Sequence, residues 1–154
     1  MRRLARGRAR LTPGVSGRET APRMSDLPSL VRAAEAVASR AHSPYSGVRV
    51  GAALVDGEGR VHLGCNVENA SYSLTICAER SALARAISDG AREFASIVIW
   101  SSTERPLMPC GACRQALAEF APELVVHVVG PRHAPVEHSL AQLLPGGVAR
   151  EDLR

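Results

Sequence analysis

Hydrophobic and polar positions change period several times along the chain. Leu30, Val31, Ala34, Val37 and Ala38 recur at helical spacing, with Pro28 in the first turn and Asp26 near the cap. Ser43-Pro44-Tyr45-Ser46-Gly47 is a run of turn formers that ends this helix by His42. Val48–Val55 is a strand pattern of small and branched residues. Asp56-Gly57-Glu58-Gly59 then predicts a hairpin turn and Arg60–Asn66 the returning strand. Asn69–Thr75 is polar and reads as a loop. Cys77–Ile87 carries Ala78, Ala82, Leu83, Ala86 and Ile87 at helical spacing and is stopped by Ser88-Asp89-Gly90. Phe94–Trp100 and Leu124–Val129 are continuous apolar runs, as strands buried on both faces require. Between them, Pro106–Pro109 is a loop and Gly111–Phe120 a helix stopped by Pro122. A weak strand around Ala134-Pro135-Val136 and a short helix over Ser139–Leu144 complete the pattern.

The order is helix, hairpin, helix, strand, helix, strand. Helices alternating with apolar strands cover both faces of one sheet, so the expected class is α/β, a three-layer α/β/α sandwich opened by an antiparallel hairpin. A chain of 154 residues, 45% of them hydrophobic, suits one domain with a core that needs no disulfides.

The formal charge of +4 suggests nucleic-acid binding until it is divided along the chain. Residues 1–23 hold seven arginines against the single acid Glu19, a balance of +6, which leaves −2 for the remainder. The basic character therefore belongs to the beginning of the chain. Residues 1–25 are expected to be a disordered arginine-rich tail, or upstream sequence from a misassigned start with Met24 as the true one. Residues 26–154 are expected to form the functional domain. The longest apolar runs fall far short of the roughly 20 residues a membrane helix needs, and the arginine-rich stretch lacks the apolar segment of a secretory signal. A cytoplasmic protein with no membrane partner is expected.

The sharpest chemical signal is Cys77-Ala78-Glu79 followed by Pro109-Cys110-Gly111-Ala112-Cys113. Alone, Cys-x-x-Cys could equally be a redox pair. The third cysteine and the placement of all three at helix starts favour metal, because helix N-termini stabilise thiolates. The remaining cysteine, Cys65, lies in a strand. His42, His62, His127, His133 and His138 are distant in sequence and read as ordinary polar residues. The fourth position on a zinc ion is therefore expected to be open to water, as in a catalytic site. Glu79 can be a favourable acid at a positive helix end, or the acid–base group that zinc nucleobase deaminases use without coordinating it to the metal. Three thiolates outweigh the charge of Zn²⁺ and depress its Lewis acidity, so Arg80 and Arg114 are candidate donors to the sulfurs.

With these residues in view, the chain from Leu30 to Leu153 resembles the small homotetrameric cytidine deaminases. The resemblance rests on Val50–Leu54, Gly64–Tyr72, Cys77–Arg80, Pro109–Gln115 and Leu143–Gly146. It implies a five-stranded mixed sheet and hydrolytic deamination of cytidine and 2′-deoxycytidine to uridine and 2′-deoxyuridine. Cys77, Cys110 and Cys113 would bind one Zn²⁺ per chain. Glu79 would protonate the ring nitrogen and then the departing ammonia. Asn66 and Glu68 would hold the ribose hydroxyls, Arg80 would temper the thiolates, and the backbone at Ala78 and before Pro109 would meet the pyrimidine edge. The partners implied are a pyrimidine nucleoside, water and three further copies sharing active sites, with Tyr72 near the shared contacts; nucleic acid is not expected.

Two positions depart from the family pattern. Val48 stands where relatives commonly carry a phenylalanine that packs on the pyrimidine, and Val148 where they commonly carry another aromatic that reaches a neighbouring subunit's site. A deaminase of a modified or related aminated nucleoside is therefore an alternative. A non-enzymatic zinc module that binds nucleic acid through the arginine tail is a more distant one.

Overall fold

The computed structural model describes residues 26–153; the expectation for residues 1–25 lies outside the described residues. Five strands form one mixed sheet, β1 (Val50–Asp56), β2 (Val61–Cys65), β3 (Phe94–Ser101), β4 (Val125–Gly130) and β5 (His133–Ser139), in the order β2-β1-β3-β4-β5. The β3–β4 pair is parallel and the other pairs are antiparallel. Helix α1 (Leu27–Ala38) covers one face, while α2 (Ala78–Ser88), α3 (Gly111–Ala118) and the short α4 (Leu140–Leu143) lie on the other. The three-layer expectation holds.

Alternation on the central strand builds both layers. Ala53 and Val55 of β1 join Leu30 and Ala34 of α1, whereas Ala52 and Leu54 join Ala82 and Leu83 of α2. Residues 51–56 of β1 are all buried, which is why that run reads as continuously apolar. Asp26 caps α1 by accepting a hydrogen bond from Ser29 N at 3.1 Å.

Two glycines set the helix heights. A Cβ at Gly51 would run into the backbone of Ala34 and Ala38 in α1, and one at Gly64 into that of Ala78 and Ala82 in α2. Gly64 thus lets the first turn of α2 press directly on β2.

The boundaries shift where side chains capture backbone groups. β1 begins at Val50 rather than Val48, because Ser46 Oγ takes the Val48 N–H (3.0 Å) and Ser102 Oγ takes the Arg49 N–H (3.0 Å). The polar Asn69–Thr75 stretch contains a 3-10 turn at Tyr72–Leu74. The weak strand around Pro135 becomes the seven-residue β5; as an edge strand it tolerates the proline's missing donor.

Candidate metal centre and active site

The end of the sheet where β1 begins and where β2 and β3 finish gathers the chemistry. Val50 opens β1 opposite Ser101, the last residue of β3, and Gly51 pairs with Cys65, the last of β2. Both cysteine-bearing helices start there, which is where α/β sheets commonly place ligands. Cys77 is the N-cap residue of α2 and Cys110 that of α3, so the two positive helix ends converge.

The three sulfurs lie within 4.8 Å of one another, with Cys77–Cys110 at 3.8 Å and Cys110–Cys113 at 3.5 Å. Tetrahedral zinc with Zn–S bonds of about 2.3 Å separates its sulfurs by ~3.8 Å. The thiols fit the ion. The Cys113 S–H, followed by the Cys110 S–H and the Arg80 guanidinium, holds the Cys77 thiol down at about 5 despite burial. Cys113 is pushed the other way, by donating to Cys77 and by its own burial. Without a cation the cluster must share protons in this manner. A divalent ion is the partner that lets all three ionise. The cluster is the donor set of a single Zn²⁺ site per chain. Cys65 is free and outside it.

Arg80 supplies an independent indication. One of its nitrogens donates to Thr75 O at 2.9 Å, and its guanidinium lies beside Cys77 and Cys113. Its Nε is buried with no hydrogen-bond partner. A buried guanidinium nitrogen left open beside thiols finds its acceptor when those thiols are charged. Arg114 differs from expectation. Its Nε donates to Pro109 O and its Nη1 to Leu143 O, both at 2.7 Å, rather than to sulfur. It anchors the loop before Cys110 to α4 because its planar fork spans two carbonyls left open at chain turns.

Glu79 is 4% exposed in the first turn of α2. Burial, reinforced by charge on Cys77, raises its carboxyl above the usual range. Its one hydrogen-bonding side-chain contact among the described residues is with the ligand thiol Cys113, whereas the other buried acid, Asp56, is held by Arg60, His62 and two backbone N–H groups. Glu79, Cys77, Cys110 and Ala78 line a cavity of about 250 Å³, closed on other sides by Val48, Val50, Ile99, Leu107 and Met108. The Leu107–Met108 wall is tied to the sheet by Leu107 N donating to the fully buried Ser101 Oγ at 3.2 Å.

Asn66 and Glu68 also line this cavity, but each is already engaged. Asn66 donates Nδ2 to Val48 O (2.9 Å) and accepts from Val50 N (2.8 Å), which fixes the wall carrying Val48. Glu68 accepts from Tyr45 N (2.9 Å), Ser46 N (3.3 Å) and Ser46 Oγ, and these donors, the hydroxyl first, lower its carboxyl pKa. Val148 does not reach the cavity of its own chain. It is 57% exposed beside a separate groove near α4. Sequence reasoning did not single out Ser46, Thr75, Leu107 or Met108 as cavity residues. The turn Pro44-Tyr45-Ser46-Gly47 directly before Val48 was the available signal for Ser46.

A three-thiolate zinc site with a buried glutamate beside it on an α/β/α sandwich defines a zinc-dependent hydrolase of the deaminase class. Residues 24–129 match the cytidine and deoxycytidylate deaminase zinc-binding region. The cytidine deaminase of Sporosarcina psychrophila is 42% identical over 129 residues, 83% of this chain and 95% of that protein. The cytidine deaminase of Mycobacterium tuberculosis H37Rv is 41% identical over 118 residues, covering 75% and 84%. The crystal structure of cytidine deaminase from Burkholderia pseudomallei aligns with a TM-score of 0.78 at 44% identity, over 80% of this chain and all of that one. The chain belongs to the cytidine deaminase family.

Proposed function

We propose that the protein hydrolyses cytidine and 2′-deoxycytidine to uridine and 2′-deoxyuridine, releasing ammonia. The observation that carries this is the buried carboxyl of Glu79 sharing one cavity with the zinc-binding thiols. Cys77, Cys110 and Cys113 would hold the zinc ion, which when bound would supply water activation at neutral pH. Glu79 would take one proton from that water and deliver it to the ring nitrogen as the water oxygen bonds to the carbon bearing the amino group. It would then take the second proton from the added hydroxyl and deliver it to the departing amine as the carbon–nitrogen bond breaks, leaving a carbonyl and ammonia. Low exposure keeps the carboxyl strongly coupled to these transfers. The α2 N-terminus at Ala78 offers backbone N–H groups to the polar edge of the base. Val48 packs on the ring, Glu68 takes sugar hydroxyl, and Arg80 draws charge from the thiolates.

Charge supports a nucleoside over a nucleotide. The described residues lining the cavity include two carboxylates, Glu68 and Glu79, and no cationic side chain, so a phosphate would enter against repulsion. The same balance disfavours nucleic acid as substrate.

Val148 can meet a base only in another copy, which supports the homotetramer with shared sites. Tyr72, Leu74 and Ile76 are exposed apolar groups close in sequence to Cys77 and agree with that assembly. No described helix is long and apolar enough to cross a membrane, and a cytoplasmic location fits a salvage enzyme for free nucleosides. Ammonia release from cytidine, 2′-deoxycytidine and 2′-deoxycytidine 5′-monophosphate tests the reading. Turnover of the two nucleosides and little of the nucleotide is expected; no nucleoside turnover at millimolar substrate overturns it.

One observation favours a second substrate. The apolar lining of the cavity, which includes Val48, Ile99, Leu107 and Met108, is aliphatic or thioether, with no aromatic ring among its described lining residues. Such walls leave room for a group on carbon 5 of the base, so 5-substituted cytidines are candidate substrates of the same reaction.

A further inference from the structure

The substrate cavity and the groove beside it share Ser46, Glu68 and Thr75. Ser46 also joins their walls. Its Oγ donates to Glu68 Oε1 while accepting from the Val48 N–H at 3.0 Å. One hydroxyl therefore connects the proposed sugar-binding carboxylate to the residue proposed to cover the base. Gly47, with φ +70°, makes the turn that brings the Val48 N–H back onto the Ser46 side chain.

Counting acceptors shows what this connection does. A carboxylate offers about four lone-pair positions. Two donors, Tyr45 N and Ser46 N, occupy Oε2 of Glu68, and Ser46 Oγ occupies one position on Oε1. One acceptor position remains, on Oε1. The backbone donors hold one oxygen of the carboxylate. The Ser46 hydroxyl fills one of the two positions on the other, and so leaves a single direction from which a substrate hydroxyl can approach.

We propose that Ser46 is a positioning residue for sugar recognition, acting through Glu68 so that the carboxylate accepts a single substrate hydroxyl in a fixed direction. This rests on the assignment of Glu68 to the sugar. Losing the Ser46 hydroxyl leaves the charge of Glu68 and its two backbone bonds in place but opens a second acceptor position on Oε1 to water, so the carboxylate no longer presents one direction. Affinity for hydroxylated sugars falls, while a nucleoside with no ring hydroxyls to offer loses only the effect of releasing the Val48 N–H, an exposed bond that water can replace.

The experiment measures kcat and KM of the full-length, zinc-loaded protein on cytidine, 2′-deoxycytidine, 3′-deoxycytidine and 2′,3′-dideoxycytidine, for wild type, Ser46→Ala, Ser46→Thr and Glu68→Gln. A hydrogen bond to a charged group sets the scale at about tenfold. Ser46→Ala should lower kcat/KM for cytidine by about that factor, mainly through KM, and change 2′,3′-dideoxycytidine by less than about twofold. Ser46→Thr, which keeps the hydroxyl, should restore most of the loss. Equal losses on cytidine and dideoxycytidine, or no loss on cytidine, would overturn the positioning role. Glu68→Gln separates the two claims. If it too loses equally on both substrates, the sugar assignment of Glu68 falls and the role of Ser46 with it. If its loss is confined to hydroxylated sugars while that of Ser46→Ala is not, only the Ser46 inference fails.

Discussion

The two ends of α2 each gather a set of titratable side chains against the sheet, and they are built on opposite terms. At the C-terminal end, buried His62 joins two carboxylates, with Nε2 3.0 Å from Asp56 Oδ2 and Nδ1 3.1 Å from Asp89 Oδ2. Asp56 also accepts from Glu58 N, Arg60 N and Arg60 Nε. No buried side-chain nitrogen or oxygen there lacks a partner among the described residues, and the cluster ties the β1–β2 hairpin to the end of the helix. At the N-terminal end, about 16 Å away along 11 residues, three thiols have chiefly each other and Arg80, whose Nε has no partner. Glu79 faces a cavity there. Burial and titratable groups are common to both ends. Incompleteness distinguishes the functional one: a satisfied cluster stabilises, whereas an unsatisfied one awaits a ligand.

The largest expected effect breaks the incomplete end. Cys110→Ala should abolish zinc retention and most soluble protein together, since metal affinity in such a site is folding energy. Elemental analysis and expression yield check it; a soluble variant with full zinc would remove Cys110 from the ligand set. Glu79→Gln acts on the chemistry alone. It should keep fold and zinc while kcat falls by about 10⁴-fold or more, the upper range for a general acid–base group used in several transfers. Activity within tenfold of wild type would exclude Glu79 from the reaction.

At the satisfied end the expected effect is on stability. His62→Ala removes the fully buried ring that joins the two carboxylates, leaving a cavity and one bond fewer on Asp56 Oδ2, and should cost on the order of 3 kcal/mol of unfolding free energy. Turnover per bound zinc in the folded fraction should be unchanged. Asp56 sharpens this further with pH. Burial raises its carboxyl, but the bonds from His62 and Arg60 outweigh that and hold it at about 2. A folded-state value below the unfolded one of about 3.9 gives stability that is present above pH 4 and lost as the pH falls towards 2, worth about 2 kcal/mol. Asp56→Asn should flatten that acid limb, as urea unfolding across this pH range would show. A wild-type curve flat below pH 4 would contradict the assignment.

The smallest effect concerns substrate choice. Val48→Phe with Val148→Phe adds flat area around the base and should shift the kcat/KM ratio of cytidine to 5-methylcytidine by about fivefold towards cytidine, from roughly 40 Å² of added apolar contact. An unchanged ratio would mean that these valines do not set base selectivity.

Much of the fold was legible because its signals are local. The apolar runs of β3 and β4, the hairpin glycines and the cap at Asp26 each carry their own instruction, and the three cysteines announce their chemistry by residue type and spacing. What the sequence concealed depends on partners distant along the chain. His62 reads as one polar residue in a strand until Asp89, 27 residues on, is placed beside it. Arg114 is near a ligand cysteine in sequence, yet carbonyls at Pro109 and Leu143 claim it. Asn66 and Glu68 were recognisable as a pair at a strand end. That each is engaged by the segment from Tyr45 to Val50 follows only from the turn that folds this segment over them. Val148 lies beside a groove near α4, away from the cavity that Val48 lines, in keeping with the expectation that it serves a neighbouring subunit's site.

The central claim is that the α2 N-terminus holds a zinc ion without which no deamination occurs. The direct test measures zinc content and ammonia release from cytidine on one purified sample, as isolated, after chelation and after zinc is returned. One zinc per chain is expected, with turnover falling in proportion as metal is removed and recovering as it is restored. Full turnover by metal-free protein, or none by protein carrying one zinc per chain, would contradict the account.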